Sequence, residues 1–230
     1  MSTFFLIIIA LTPGIGIAVY IYFIDRLEPE PIKLVLFSFF LGIVSLGLDL
    51  LFAIPLDKFF TINEYDLEAE AVHAFIIVAF LEELSKFVFI RGILYKNKNF
   101  NEPLDGIVYS VMVGMGFATA ENVIYAVNEG GGAVVIRMFS AIPAHALFAV
   151  LMGYMLGKAK FTHMISEALY ALGALGIATL FHGVYDYFLF IAFVPGIWVG
   201  SVIAFIAAFF LSRKAVQLHQ QASPFKLNKK

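Results

Sequence analysis

Seven apolar stretches, at about residues 4–24, 32–54, 71–92, 104–127, 133–157, 165–190 and 195–212, are each long enough to cross a bilayer. Backbone polar groups at membrane depth must find their partners within the segment or in a closed barrel, so runs of this length predict helices. The expected fold is all-α, a polytopic transmembrane bundle of about seven spans. Composition agrees: 61% of residues are hydrophobic and 14% charged, against about 45–50% and about 25% in soluble domains. One bundle domain is expected over residues 1–216, its site-bearing part at about 70–190, with a polar, basic tail over 217–230. Pro13-Gly14 and Pro143 are expected to kink the first and fifth spans rather than end them. The start lacks the basic n-region of a signal peptide and reads as a retained first span.

Charge in the connections orients the bundle. Arg26 and Lys33 flank the first, Arg91, Lys96 and Lys98 the third, and Lys158 and Lys160 the fifth; Arg213, Lys214, Lys226, Lys229 and Lys230 lie in the tail. The even connections hold or border only Lys58 and Arg137. The positive-inside rule then puts the odd connections and the C-terminus in the cytoplasm and the N-terminus outside. The second connection, Pro55 to Glu70, reads as an acidic, solvated external loop carrying Asp57, Glu64, Asp66, Glu68 and Glu70. The fourth, Asn128 to Gly132, is glycine-rich and is expected to be mobile. A net charge of −2 gives no sign of nucleic-acid binding, and the absence of cysteine removes disulfides, thiolate nucleophiles and thiolate-bound metals.

Against this background the ionisable residues inside the spans stand out. Glu82, Glu83 and Lys86 interrupt the third span, with Glu82 and Lys86 one helical turn apart. In the fourth, the small residues Gly106, Ser110, Gly114 and Ala118 recur every four positions and lead to Glu121 and Asn122. In the fifth, His145 stands in the series Ala141, Ala149, Gly153, Gly157, and in the sixth His182 and Asp186 continue the series Ala174, Ala178. Small-residue ridges mark faces where helices pack closely, so these groups lie on or beside packing faces rather than toward lipid. Glu82 precedes Arg91 by nine residues, about 13 Å of helix, which places the group in the middle and outer half of the bilayer. A buried ion pair that only fixes helix register is the structural alternative for Glu82 and Lys86. For the whole set, ionisable groups at such depth point to function.

The residue types suit hydrolysis. A desolvated carboxylate can act as general base toward water, and imidazoles and an amide can orient that water, stabilise an oxyanion or bind a metal. Neither a His-Glu-x-x-His zinc signature nor a Gly-x-Ser-x-Gly elbow is present. An aspartyl dyad from Asp49 and Asp186 is disfavoured, because Asp49 follows Leu48 and lacks the Gly-Asp step of intramembrane aspartyl proteases.

Four segments, Glu82-Glu-Leu-Ser-Lys86, Gly114-Met-Gly-Phe-Ala-Thr-Ala-Glu-Asn122, the stretch from His145 to Gly153, and His182-Gly-Val-Tyr-Asp186, occur in the order of the PrsW family motifs. Over about residues 70–190 the chain resembles that family of intramembrane proteases, related to the CAAX-processing and bacteriocin-processing superfamily. The resemblance implies cleavage of a single-pass membrane protein near its external side, an anti-sigma factor for example, in the cell membrane. It also implies that Glu82 and Glu83 are the essential glutamates. The second motif ends in Glu121 where the wider superfamily commonly has histidine. Both a zinc-dependent and a metal-free glutamate–histidine mechanism stay open. For a metal, the expected ligands are His145 and His182 with one of Glu82, Glu83, Glu121 or Asp186, and Glu121 is the expected carboxylate. The rival readings are an ion- or proton-coupled transporter or channel, a CAAX-type prenyl-protein endopeptidase, and a non-catalytic membrane scaffold.

Overall fold

The computed structural model describes residues 3–60 and 65–229; Glu64, counted above in the acidic external connection, lies outside them. Among the described residues nine α-helices follow in order: α1 (Thr3–Ile24), α2 (Ile32–Phe59), α3 (Leu67–Val72), α4 (Leu81–Gly92), α5 (Pro103–Asn128), α6 (Gly131–Phe139), α7 (Ala141–Lys160), α8 (Met164–Phe190) and α9 (Val199–Ala222). A π-helical segment, His73–Phe80, joins α3 to α4, and there is no strand among the described residues. Six stretches are long and apolar enough to cross a membrane as helices: α1, α2, α5, the α6–α7 stretch, α8 and α9. The third expected span is present as the segmented helix α3–π–α4, so the observed bundle matches the expected all-α membrane architecture.

Helix α5 is the axis of the fold. Every residue from Leu104 to Thr119 is buried, the signature of a helix surrounded by others. It packs against α1, α2 and α7, while α8 and α9 close the far side of α7. The four-residue ridges explain how closely the axis is approached. A Cβ added at Gly106 would collide with the Gly153 carbonyl of α7, and one at Gly153 would collide with the Gly106 carbonyl. Without side chains at these two positions the backbones of α5 and α7 touch. The outer faces carry the lipid-compatible side chains, among them Phe4, Leu36, Leu51, Leu169, Leu172 and Phe210, all exposed.

Several boundaries differ from the sequence expectation. Helix α2 continues through Pro55 to Phe59, so the second connection is shorter than the stretch from Pro55 to Glu70; Glu68 and Glu70 are already in α3. The fifth span breaks at Ser140 into α6 and α7, ahead of Pro143 rather than at it. Ser140 has a non-helical backbone, and its hydroxyl donates to the Ile136 carbonyl. Pro143 falls in the first turn of α7, where its missing amide costs nothing. The glycine-rich connection is not a free loop. Gly130, with φ +82°, caps α6, and Gly131 and Gly132 are its first turn. Likewise α9 runs past Gln217 to Ala222, with His219 buried against Tyr154 and Gln220 donating to the Ile24 carbonyl.

Candidate active site

The unusual helix geometry lies immediately before the paired glutamates. In a π-helix the hydrogen bonds widen to i→i+5, which displaces the following residues around the axis relative to an α-helical continuation. The segment His73–Phe80 packs along α8. Phe75 covers Gly183 so closely that a Cβ there would meet the Phe75 ring. At its first residue, His73 lies 3.0 Å from Asp57 and stacks on Phe190. Held on α8 in this way, α4 presents Glu82, Glu83 and Lys86 inward, all buried.

Seven of the eight residues singled out from the sequence converge. Lys86 Nζ lies 2.8 Å from Glu83 Oε1, 3.4 Å from Glu82 Oε2 and 3.3 Å from His145 Nδ1, and sits 4.0 Å from the centre of the Phe117 ring. His182 Nδ1 is 2.9 Å from Glu83 Oε1, and its Nε2 is 3.1 Å from Asp186 Oδ2 and 4.0 Å from Glu82 Oε2. His145 Nε2 is 3.2 Å from Glu121 Oε2. The two imidazoles meet edge to face, 5.1 Å between centres, and Phe148 stacks on His182. Glu82, Glu83, His145 and His182 each bring a donor atom within 4.8 Å of the others.

Two residues take places other than those expected. Asn122 is buried away from the group: its side-chain amide donates to the Ala10 carbonyl of α1, 3.1 Å away, a tie between helices. Glu121, the expected carboxylate ligand, is outside the four-donor set. It pairs with Arg137 at 2.5 Å and backs His145 instead.

Arg137 and Asp49 were missed as members of the site. Arg137 read as a loop charge, but α6 folds it over the cavity, where its guanidinium also covers the Tyr125 ring. Its signal was a lone arginine next to a span that already carried an unpaired glutamate. Asp49 was weighed only as half of a dyad, yet it is buried and lines the same cavity. That cavity, of about 600 Å³, is bordered by Asp49, Glu82, Glu121, Arg137, His145, His182 and Asp186 and reaches Asn128, Glu129 and Phe190 at the bundle end that holds the even connections. Glu83 and Lys86 are not on its wall.

Residues 30–212 match the model of the PrsW family intramembrane metalloprotease. The chain is 37% identical over 187 residues to Protease PrsW of Geobacillus kaustophilus, covering 81% of this chain and 80% of the relative. It is 35% identical over 192 residues to Protease PrsW of Bacillus subtilis, covering 81% and 83%, and 35% identical over 179 residues to that of Clostridioides difficile, covering 74% and 72%. No solved structure shows a significant match. A multi-pass helical bundle, a buried carboxylate–imidazole cluster facing a cavity, and similarity along four-fifths of the chain agree, and the chain belongs to the PrsW family of intramembrane proteases.

Proposed function

We propose that this protease hydrolyses a peptide bond of a single-pass membrane protein near its external side, with Glu82 as the base toward water. One observation carries the choice of base. Of the paired glutamates only Glu82 lines the cavity, and its contacts to Lys86 and His182 are long, at 3.4 and 4.0 Å. Glu83 is enclosed and committed at 2.9 Å or less to both Lys86 and His182. A base must reach the proton it takes, and an enclosed carboxylate whose Oε1 is held by two donors is a positioning group.

The mechanism follows from the partners. Water in the cavity adds to the scissile carbonyl as Glu82 takes its proton. Charge then develops on the carbonyl oxygen, and Arg137 is the cationic donor on the cavity wall able to face it. Collapse breaks the C–N bond, and the proton held on Glu82 passes to the leaving amine. Asp186 and Glu83 fix the ring of His182 from both nitrogens, and Glu121 fixes His145 through Nε2.

The same arrangement fits a metal of the zinc type. Ligating imidazoles in proteins have one nitrogen on the metal and the other on a carboxylate. Here Asp186 and Glu121 back the Nε2 atoms, leaving the Nδ1 atoms of His182 and His145 turned toward Glu83 and Lys86. His145, His182 and Glu82 or Glu83 would hold the ion, with Glu121 and Asp186 as backing. Bound there, it would act as a Lewis acid and acidify its water. Lys86 shares these donors, so its ammonium and a metal contend for the same place.

The external position of the cut rests on the charge orientation of the connections, and the anti-sigma class of substrate on the family resemblance. The test is cleavage of a purified single-span substrate in liposomes by Glu82→Gln and Glu83→Gln, with and without chelator. Glu82→Gln is expected to lose roughly 10²–10⁴-fold in rate while still binding substrate. Parental rates in both single variants and in the double variant would dismiss the site. Loss on chelation with recovery on zinc would select the metal form.

A further inference from the structure

One buried carboxylate of the cavity wall has no part in the chemistry above. Asp49, on α2, is 5% exposed, and its Oδ1 has no hydrogen-bond partner. The other carboxylates that border the cavity are engaged or solvated. Glu121 pairs with Arg137, Asp186 with His182, Glu82 with Lys86 and Asp57 with His73, while Glu129 at the mouth is exposed. None of these ion pairs includes Asp49. The charge of Lys86 is felt at Asp49, but Lys86 lies off the cavity wall and is held by Glu82, Glu83 and His145.

Asp49 also stands at the level of the reaction. It precedes Asp57 by eight residues on α2, and His73 precedes Glu82 by nine. With His73 against Asp57, Asp49 and Glu82 each lie roughly 12 Å along their helices from that contact. Both border the cavity, and the charge of Asp49 is felt at Glu82. A carboxylate buried at membrane depth without a counter-charge is costly, so a group that supplies one gains the interaction in full. Asp49 belongs to none of the sets of three or more donors that come together among the described residues, which argues against a metal ion in that place. A backbone amide would give one hydrogen bond and leave the charge uncompensated. A cationic side chain entering with the bound chain supplies both.

We propose that Asp49 is a specificity residue that receives a lysine or arginine side chain of the substrate beside the scissile bond. The substrate class is then a membrane segment with a basic residue at the level of the cut, a position where an apolar span would otherwise exclude one. This rests on the reading of the cavity as the hydrolytic site, with Glu82 as base.

Fluorescent peptides of one alanine–leucine span with polar flanks would carry a single Lys, Met or Glu at successive positions along the span. Their binding to full-length Glu82→Gln protein in nanodiscs would be followed by anisotropy. At one position or two adjacent ones the Lys peptide is expected to bind about tenfold or more tighter than the Met peptide, and the Glu peptide more weakly than either. Adding Asp49→Asn should bring the Lys-to-Met ratio to about one. Asp49→Glu should retain a preference for Lys, and Glu129→Gln should leave its position unchanged. Equal affinity of the Lys and Met peptides at every position, no binding of either, or a preference that survives Asp49→Asn overturns the proposal. If Asp49→Asn does not fold, Asp49→Ser takes its place with the same expectation. Cleavage of the same peptides by the parent protein is followed separately. Its absence, with the Asp49-dependent preference intact, would set aside the hydrolytic reading and keep the cation-binding role.

Discussion

Lys86 has neighbours that a lone membrane lysine would lack: two carboxylates, an imidazole nitrogen and an aromatic face. Its charge is balanced locally, which is how an ammonium tolerates burial at this depth. Removing one partner therefore leaves the others unpaired, and charge-neutral, shape-conserving substitutions are the informative ones. Asp186 and Glu121 each act through a histidine. Asp186→Asn and Glu121→Gln are each expected to lower cleavage about 10–100-fold with little change in melting temperature. If metal supports the reaction, each should also weaken its affinity by a similar factor, a readout that a merely structural role would not move. Equal affinity and equal rate in both variants would detach these carboxylates from the histidines' function.

The π segment and the glycine contact are the elements on which the site depends. Glu82 and Glu83 follow the π turns directly, so the face they present is set by how that segment winds. Each residue of an α-helix turns the chain about 100°. Inserting an alanine after Ile76, an exposed π-segment residue, would rotate α4 by about that angle relative to α3. Cleavage is expected to fall about 10²-fold or more, as for other misplaced catalytic groups, while Ile76→Leu leaves it near the parental rate. Full activity in the insertion variant would show that α4 finds its place whatever the winding of the π segment. The α5–α7 contact makes a stability prediction. Gly153→Val puts a branched side chain against the Gly106 backbone, where no flexible neighbour can yield. It should cost about 3 kcal/mol or more in a reversible unfolding assay in detergent.

At the scale of the whole molecule, the cavity and a second group of carboxylates sit at opposite ends of α5, one bordered by Asn128 and Glu129 and the other formed by Asp25, Glu102 and Asp105. From the charge pattern, the cavity end is expected to face the outside. The native chain has no cysteine, so single cysteines at Glu129 and Lys98, both exposed, report on the two ends directly. An impermeant thiol reagent on intact cells is expected to label the cysteine at Glu129 and spare the one at Lys98. The reverse pattern would invert the orientation and move the proposed cut to the cytoplasmic side.

Hydrophobic length is a local property, and it was enough to specify a helical membrane bundle. The residues that meet were also legible, since Glu82, Glu83, Lys86, Glu121, His145, His182 and Asp186 all interrupt runs in which polar groups are costly. What each of them does was not legible. Glu82 and Glu83 are adjacent in sequence, and only their placement separates the one on the cavity wall from the one locked between Lys86 and His182. Asn122 adjoins Glu121 but points to a different helix, because neighbours on a helix diverge by about 100°. Arg137 joined the site only when Ser140 broke the fifth span and folded α6 over the cavity. The second carboxylate group escaped notice for the same reason: Asp25 and Glu102 are 77 residues apart, and only packing of the α1–α2 connection against α5 joins and buries them.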